Sequence, residues 1–191
     1  MSKIILASAS PRRRELLSLA EIKFDLCIKN VDETIPAGMS PAQAAEHTAM
    51  KKAMAVSLIN DEAIVLGADT IVVLDGEILG KPKDKDDAYA MLRKLSGKEH
   101  EVITGVCLAV GKQKTVFHSV SKVKFYELSE TEIRHYVLTG EPMDKAGAYG
   151  IQGRGCTLVE KIEGDYFNIV GLPVARVARE IKKLEKSLKT E

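Results

Sequence analysis

Residues Ala63 to Leu74, Ala-Ile-Val-Leu-Gly-Ala-Asp69-Thr70-Ile-Val-Val-Leu, form the most strand-like segment of the 191-residue chain, and they end at Asp75-Gly76. Asp-Gly between apolar runs is a strong signal for a two-residue hairpin turn, so Glu77-Ile-Leu79 reads as the returning strand. Such a segment has to be a buried core strand. Asp69 then stands out, because Asp is a poor strand former. A carboxylate in that setting is costly unless it is paired, hydrogen-bonded or metal-bound. With Asp75-Gly76 as the turn, Leu74 faces Glu77 and Thr70 faces Lys81. Gly80 and Pro82 make an ideal ladder unexpected there, so the register places Lys81 near the Asp69-Thr70 pair without requiring contact.

The N-terminus carries a second unusual pattern. Ile4 to Ala7 reads as a short buried strand, followed by Ser8-Ala-Ser10-Pro11-Arg12-Arg13-Arg14. Ser10 suits an N-cap and Pro11 the first helical position. Free N–H groups and the positive end of the helix dipole favour an anion here. Three arginines beside that positive end are unfavourable unless a polyanion is bound, and the Arg fork matches phosphate oxygens two at a time.

Elsewhere strands and helices are mixed, with a second β-hairpin beside the one at Asp75-Gly76. Phe24–Ile28 reads as a strand, and Lys29–Pro36, which contains Asp32 and Glu33, as a polar loop. Ser40-Pro41-Ala-Gln43 is a capping box opening a helix to about Leu58 with Lys52 in its middle. Asp84 caps an amphipathic helix with Ala88, Met91, Leu92 and Leu95 on one face. Val102–Val110 and Thr115–Leu128 read as strands joined at Gly111-Lys112. Ser129 caps a helix ending at Gly140. Residues Asp144–Gly155 show no regular element; glycines at 147, 150, 153 and 155 let backbone approach a ligand closely. Thr157–Ile162 reads as a strand, Glu163–Asn168 as a turn, and Gly171-Leu-Pro173 as the start of the last helix. This pattern predicts an α/β fold with a mixed central sheet flanked by helices, in one domain spanning 1–191 with two lobes around a cleft.

Bulk properties exclude several classes. A formal net charge of +1 gives no strong global field toward nucleic acid or membrane. The chain has no Trp and few aromatics, which argues against a stacking platform for single strands. No apolar run approaches membrane-spanning length. Cys27, Cys107 and Cys156 show no metal or disulfide spacing. They read as small buried hydrophobes in a reducing, cytoplasmic setting. No P-loop, dinucleotide fingerprint, G-x-S-x-G or H-E-x-x-H occurs. Four scattered histidines give no support for nucleophile–His catalysis.

What remains is Ser8, Ser10, Arg12 and Arg13 on the first turn, Glu33 in a loop, Lys52 on a helix, Asp69 and Thr70 on a strand, and Lys81 past the hairpin. Arginines and lysines hold phosphates, and two carboxylates can hold a divalent cation or orient a water. That is a set of parts for metal-assisted phosphoryl chemistry. An ordinary surface ion pair between Glu33 and Lys52 is the competing reading for those two residues.

The sequences Leu6-Ala-Ser-Ala-Ser-Pro-Arg-Arg13, Gly67-Ala-Asp-Thr-Ile-Val-Val, Leu79-Gly-Lys-Pro82, Leu95-Ser-Gly97, Lys145-Ala-Gly-Ala-Tyr-Gly-Ile-Gln152 and Val170-Gly-Leu-Pro173 resemble the Maf family of nucleoside triphosphate pyrophosphatases, in the family's order and over nearly the whole chain. The resemblance implies a fold related to inosine-triphosphate pyrophosphatase and hydrolysis of a nucleoside triphosphate to monophosphate and pyrophosphate, with a divalent metal (Mg or Mn). It implies Asp69 as catalytic base, Glu33 and Asp69 toward the metal, and Ser8, Arg12, Arg13, Lys52 and Lys81 toward the phosphates. Arg12, Thr70 and Gln152 resemble the specificity positions of the branch acting on dTTP, UTP and modified uridine triphosphates. One Gln amide can serve the adjacent O4 acceptor and N3–H donor of uracil or thymine, and cytosine reverses that pattern. The resemblance also implies a homodimer. A second reading, a non-catalytic nucleotide-binding regulator of cell division, comes from the family's older association with septum formation.

Overall fold

The computed structural model describes residues 2–188. In chain order it contains β1 (Ile4–Leu6), α1 (Pro11–Leu19), β2 (Asp25–Leu26), α2 (Pro41–Ser57), β3 (Ile64–Leu74), β4 (Glu77–Leu79), α3 (Lys85–Leu95), β5 (Glu99–Val110), β6 (Gln113–Phe125) and α4 (Glu130–Leu138). Short 3-10 turns at Glu141–Asp144, Ala146–Ala148 and Gly153–Leu158 lead to β7 (Val159–Glu163), α5 (Tyr166–Val170) and α6 (Val174–Ser187). The sheet order is β2-β1-β3-β5-β6-β7, with β4 hydrogen-bonded to β3. β1 is parallel to β2 and β3, whereas β4 is antiparallel to β3 and β7 antiparallel to β6. The sheet is therefore mixed, as the strand and turn pattern predicts. Among the described residues no helix is long and apolar enough to cross a membrane.

Two compact units divide the chain. One comprises the residues up to Asp69, Thr104–Ser119 and those from Gly171 onward; the other comprises Thr70–Ile103 and Val120–Val170. β3, β5 and β6 each contribute residues to both. In the first unit Ile5, Ala7, Ala49, Ala53, Val56, Val65, Cys107 and Ala109 share a core. The small face of α2 allows a very close approach to the strands. A Cβ at Gly67 would collide with the Ala49 carbonyl oxygen and lie 2.7 Å from the Ala53 nitrogen, and one at Gly105 would collide with the Ala45 carbonyl. In the second unit Val72, Leu74, Leu79, Leu92, Leu95, Phe125, Ile133 and Val137 share a core, and a tight exposed turn joins β3 to β4. Asp75 and Gly76 both have positive φ, 52° and 82°, the requirement of the I′ hairpin turn. The register Leu74↔Glu77, Val73↔Ile78, Val72↔Leu79 follows the sequence reading. Lys81 lies beyond the end of that ladder, as Gly80 and Pro82 led us to expect.

Several boundaries differ from the sequence reading. β2 has two residues rather than five: its register with β1 covers Asp25 and Leu26, and just past it the Cys27 N–H donates to the Leu6 carbonyl at 3.3 Å. β5 begins at Glu99, three residues early. Its polar start hides a buried His100 in edge-to-face contact with Phe125 and Tyr149, at ring separations of 5.0 and 5.3 Å. β6 runs Gln113–Phe125, ending before Leu128. Thr157 and Leu158 are in a 3-10 turn, so β7 starts at Val159. The expected turn over 163–168 holds the start of α5, where the Asp165 carboxylate accepts from the Phe167 N–H at 2.8 Å and so nucleates a helical turn. Within the glycine-rich 144–155 segment, 146–148 and 153–155 lie in 3-10 turns, while 149–152 have no regular structure, as the sequence reads. Of the three cysteines only Cys107 is buried, with its thiol pushed up to about 12 by burial; Cys27 is half-buried and Cys156 exposed.

His100 makes stability pH-dependent. Its Nε2 is 2.7 Å from the Tyr149 hydroxyl, and burial lowers its pKa to about 4. Between that value and the ordinary 6.5 the unfolded chain binds the extra proton, so this contribution is complete above pH 6.5 and is lost as pH falls toward 4. The loss amounts to up to about 3 kcal/mol. Urea midpoints measured from pH 7 to pH 4 should fall less steeply in His100→Gln than in the parent; parallel curves would remove His100 as the source.

Candidate active site

The first-unit site starts from the turn after β1. Ser10 caps α1, its hydroxyl accepting from the Arg13 N–H at 3.5 Å, and Pro11 occupies the first turn. Ser8 is buried. Its hydroxyl accepts from Arg13 Nη1 at 2.9 Å and from the Ser10 N–H at 3.3 Å. Arg13 Nε donates to the Gly171 carbonyl at 2.9 Å. Burial lowers the Arg13 pKa, and the nearby Asp69 carboxylate acts the other way, with Glu33 adding in the same sense. Arg13 is only 8 % exposed, so its charge is placed at a desolvation cost, which the nearby Asp69 carboxylate offsets in part. Arg12 is half-buried beside it and Arg14 is exposed.

Three elements meet at Lys52. The lysine projects from α2, whose capping box at Ser40 and Gln43 is formed as the sequence reads. Lys52 Nζ is 2.8 Å from Asp69 Oδ1, at the end of the first unit's share of β3, and 3.1 Å from Glu33 Oε1. Side-chain exposures of 17 % for Lys52 and 19 % for Asp69 keep that pair largely out of water, whereas Glu33 is 57 % exposed. Water screens the Glu33 contact far more than the other. The Glu33–Lys52 ion pair of the competing reading therefore exists, but it is one side of a bridge to Asp69. The loop carrying Glu33 is shaped by Asp32, whose carboxylate accepts from the Thr34 N–H and hydroxyl at 2.9 and 2.5 Å. Those bonds hold the Asp32 carboxyl below the usual range. Lys51 adds a 3.6 Å ion pair to Asp32, a second tie from α2 to this loop.

The second unit holds Thr70, Lys81 and Gln152. Thr70 is half-buried in β3, while Lys81 and Gln152 are exposed. The Gly147 N–H donates to the Gly80 carbonyl at 3.0 Å, which joins the glycine-rich segment to the end of the hairpin next to Lys81. Gly147 itself has φ +67°, and a Cβ there would lie 2.9 Å from Val72, so the segment is pressed onto β3.

Chemically, the first unit brings together a buried guanidinium, a hydroxyl at a helix N-terminus and an ammonium between two carboxylates. The Gly171 carbonyl that fixes Arg13 was not legible in the sequence; it stands 158 residues away and carries no side chain. Among the described residues, no group of three or more His, Cys, Asp or Glu is placed to hold a metal ion by itself.

The Maf-like protein family model matches residues 3–184. A dTTP/UTP pyrophosphatase of Bacillus cytotoxicus is 54 % identical over 186 residues, which is 97 % of this chain and 97 % of that protein. A dTTP/UTP pyrophosphatase of a Geobacillus species is 52 % identical over 184 residues, 96 % of this chain and 99 % of that one. Among solved structures, the Staphylococcus aureus Ham1 protein superposes with a TM-score of 0.52 at 14 % identity, covering 82 % of this chain and 79 % of that chain, a likeness of fold.

Proposed function

Because the chain belongs to the Maf family, we propose that it hydrolyses a nucleoside triphosphate, dTTP, UTP or a modified uridine triphosphate, to the monophosphate and pyrophosphate. The observation that carries this reading is the Glu33–Lys52–Asp69 bridge in the same unit as the Ser8–Arg13 turn. Asp69 serves as the general base for the water that attacks the α-phosphorus. Ser8, Arg12, Arg13, Lys52 and Lys81 take the phosphate oxygens, and positioning with charge neutralisation supplies most of the acceleration.

Glu33 and Asp69 fit a divalent cation. They are hard oxygen donors already set around a positive charge, the Lys52 ammonium. Magnesium commonly takes one or two carboxylates and completes its shell with waters and substrate phosphates, which suits a pair lacking a third protein ligand. Such an ion neutralises phosphate charge when bound. Residues 1–191 act as one functional domain in this reading, and the family resemblance adds a homodimer to the proposal.

The deciding experiment incubates the protein with a panel of nucleoside triphosphates and Mg²⁺ or Mn²⁺ and separates the products. Monophosphate and pyrophosphate from UTP or dTTP are expected. Absence of pyrophosphate from every triphosphate would overturn the proposal and favour a nucleotide-binding regulator. Arg12, Thr70 and Gln152 set base choice. Gln152→Ala should lower the preference for UTP over CTP by about tenfold, a larger change than in UTP turnover itself, because a mismatched base no longer leaves an oriented amide unpaired. Equal loss on both nucleotides would remove Gln152 from base choice.

A further inference from the structure

Gln152 lies between two stretches of backbone that are tied to one pair of side chains. The buried Tyr136 of α4 donates its hydroxyl to Glu141 Oε1 at 2.9 Å and accepts from the Gly150 N–H at 3.1 Å. Glu141 Oε1 also accepts from the Gly155 N–H at 3.1 Å, and Oε2 accepts from the Arg154 N–H at 3.0 Å. The pair therefore holds residue 150 on one side of Gln152 and residues 154 and 155 on the other. Lys145 braces the same corner, donating to the Glu141 carbonyl at 2.9 Å and to the Asp144 carboxylate at 2.6 Å.

Gly153 and Gly155 sit close against that pair. A Cβ at Gly153 would lie 2.7 Å from Glu141 Oε2, and one at Gly155 would lie 2.8 Å from the Tyr136 hydroxyl. One at Gly150 would lie 2.7 Å from the Lys145 side chain. Partial burial works to raise the Glu141 pKa. The Arg154 and Gly155 N–H groups and the Tyr136 hydroxyl outweigh it, helped by the Lys145 charge, so the carboxyl sits below its usual range. Burial raises the Tyr136 pKa well above normal, so its hydroxyl keeps the proton it donates.

We propose that Glu141 and Tyr136 are positioning residues for base selection: by fixing the Gly150–Gly155 backbone, they present the Gln152 amide to the base in one orientation. This rests on the reading of Gln152 given above. The physical need is plain. Gln152 is exposed, and an exposed amide on a loose loop turns over to satisfy cytosine as readily as uracil. A fixed backbone removes that freedom, and only then does a wrong base leave groups unpaired. Neither Tyr136 nor Glu141 has to touch the nucleotide.

The test uses Tyr136→Phe and Glu141→Gln, each alone and in the Gln152→Ala background, with kcat and KM for UTP and CTP and amide hydrogen exchange over 150–155. Tyr136→Phe deletes the bridge to Gly150. Glu141→Gln turns one acceptor into an N–H₂ group facing the Arg154 N–H. Each should speed exchange of the Gly150, Arg154 or Gly155 amides and lower the UTP-to-CTP ratio of kcat/KM by about fivefold to tenfold, the loss falling on the KM for UTP. In the Gln152→Ala background neither change should lower the ratio further, because the pair acts through Gln152. Faster exchange with an unchanged ratio would reduce the pair to a structural staple and overturn the inference; unchanged exchange would overturn it as well. If Gln152→Ala itself leaves the ratio at the parent value, the reading of Gln152 fails and takes the inference with it. If Gln152→Ala lowers the ratio and the other two do not, the inference alone fails.

Discussion

Asp69→Asn should lower kcat for UTP hydrolysis by at least about 10²-fold while the chain stays folded, the scale on which loss of a positioned general base is felt. At 1.36 kcal/mol per decade the change corresponds to about 3 kcal/mol or more of transition-state stabilisation. The fold is expected to survive because Asn is nearly isosteric and its amide oxygen still accepts from Lys52 Nζ, where Asp69 Oδ1 now sits at 2.8 Å. What Asn lacks is a site that can take the water's proton. KM should change less than kcat, since Arg12, Arg13 and Ser8, the proposed phosphate-holding residues, are untouched. Steady-state pyrophosphate release, alongside a urea midpoint that shows the variant folded, decides the matter. Turnover within a few-fold of the parent would remove Asp69 from the mechanism. Glu33→Gln provides the contrast. Its partner Lys52 retains Asp69, and the 57 % exposed carboxylate is lost at little structural cost, so its defect should be relieved by raising the metal concentration, whereas that of Asp69→Asn should persist.

Local chemistry made part of this site readable in the sequence. An aspartate within the Ala63–Leu74 strand, a Ser-Pro helix start crowded with arginines and an Asp-Gly turn are each anomalous or diagnostic over a few residues, and each forms as read. What could not be read depends on chain segments far apart. The Gly171 carbonyl on Arg13 and the Tyr149 hydroxyl on His100 are partners 158 and 49 residues away. His100 was read only as one of four scattered histidines, and the packing of Phe125 and Tyr149 against it makes it core. The Glu141 anchor was equally hidden, because three of its four acceptor bonds come from backbone N–H groups or a phenol, which leave no charge pattern to notice. The glycines at 147–155 pointed to close backbone approach, and Val72, Glu141, Lys145 and Tyr136 are protein groups that come close to them; those partners were not legible in the sequence.

Gly67→Ala should be the most damaging small substitution for stability, and it should disable the site as well. Gly67 lies two residues before Asp69 on β3, under the turn of α2 that includes Ala49 and Ala53. The added methyl would strike the Ala49 carbonyl oxygen and lie 2.7 Å from the Ala53 nitrogen. These are backbone atoms of a 17-residue helix fixed by its capping box at Ser40 and by buried Ala44, Ala45 and Val56. No rotamer change relieves the clash, so either the helix moves off the strand or the strand bends. Overpacking of this kind costs about 1–3 kcal/mol and more when backbone must shift, a large fraction of an ordinary stability of about 5–15 kcal/mol. Because Lys52 lies between Ala49 and Ala53, lifting this turn also draws the ammonium away from Asp69, and activity should fall further than the folded fraction does. Gly80→Ala is the control. It meets nothing within 4 Å and has no positive φ, so its urea midpoint should stay within about 0.5 kcal/mol of the parent. A Gly67→Ala protein as stable as Gly80→Ala would mean that α2 can slide on the sheet without loss, and the rigid placement of Lys52 against Asp69 would then have to come from the Glu33 loop instead.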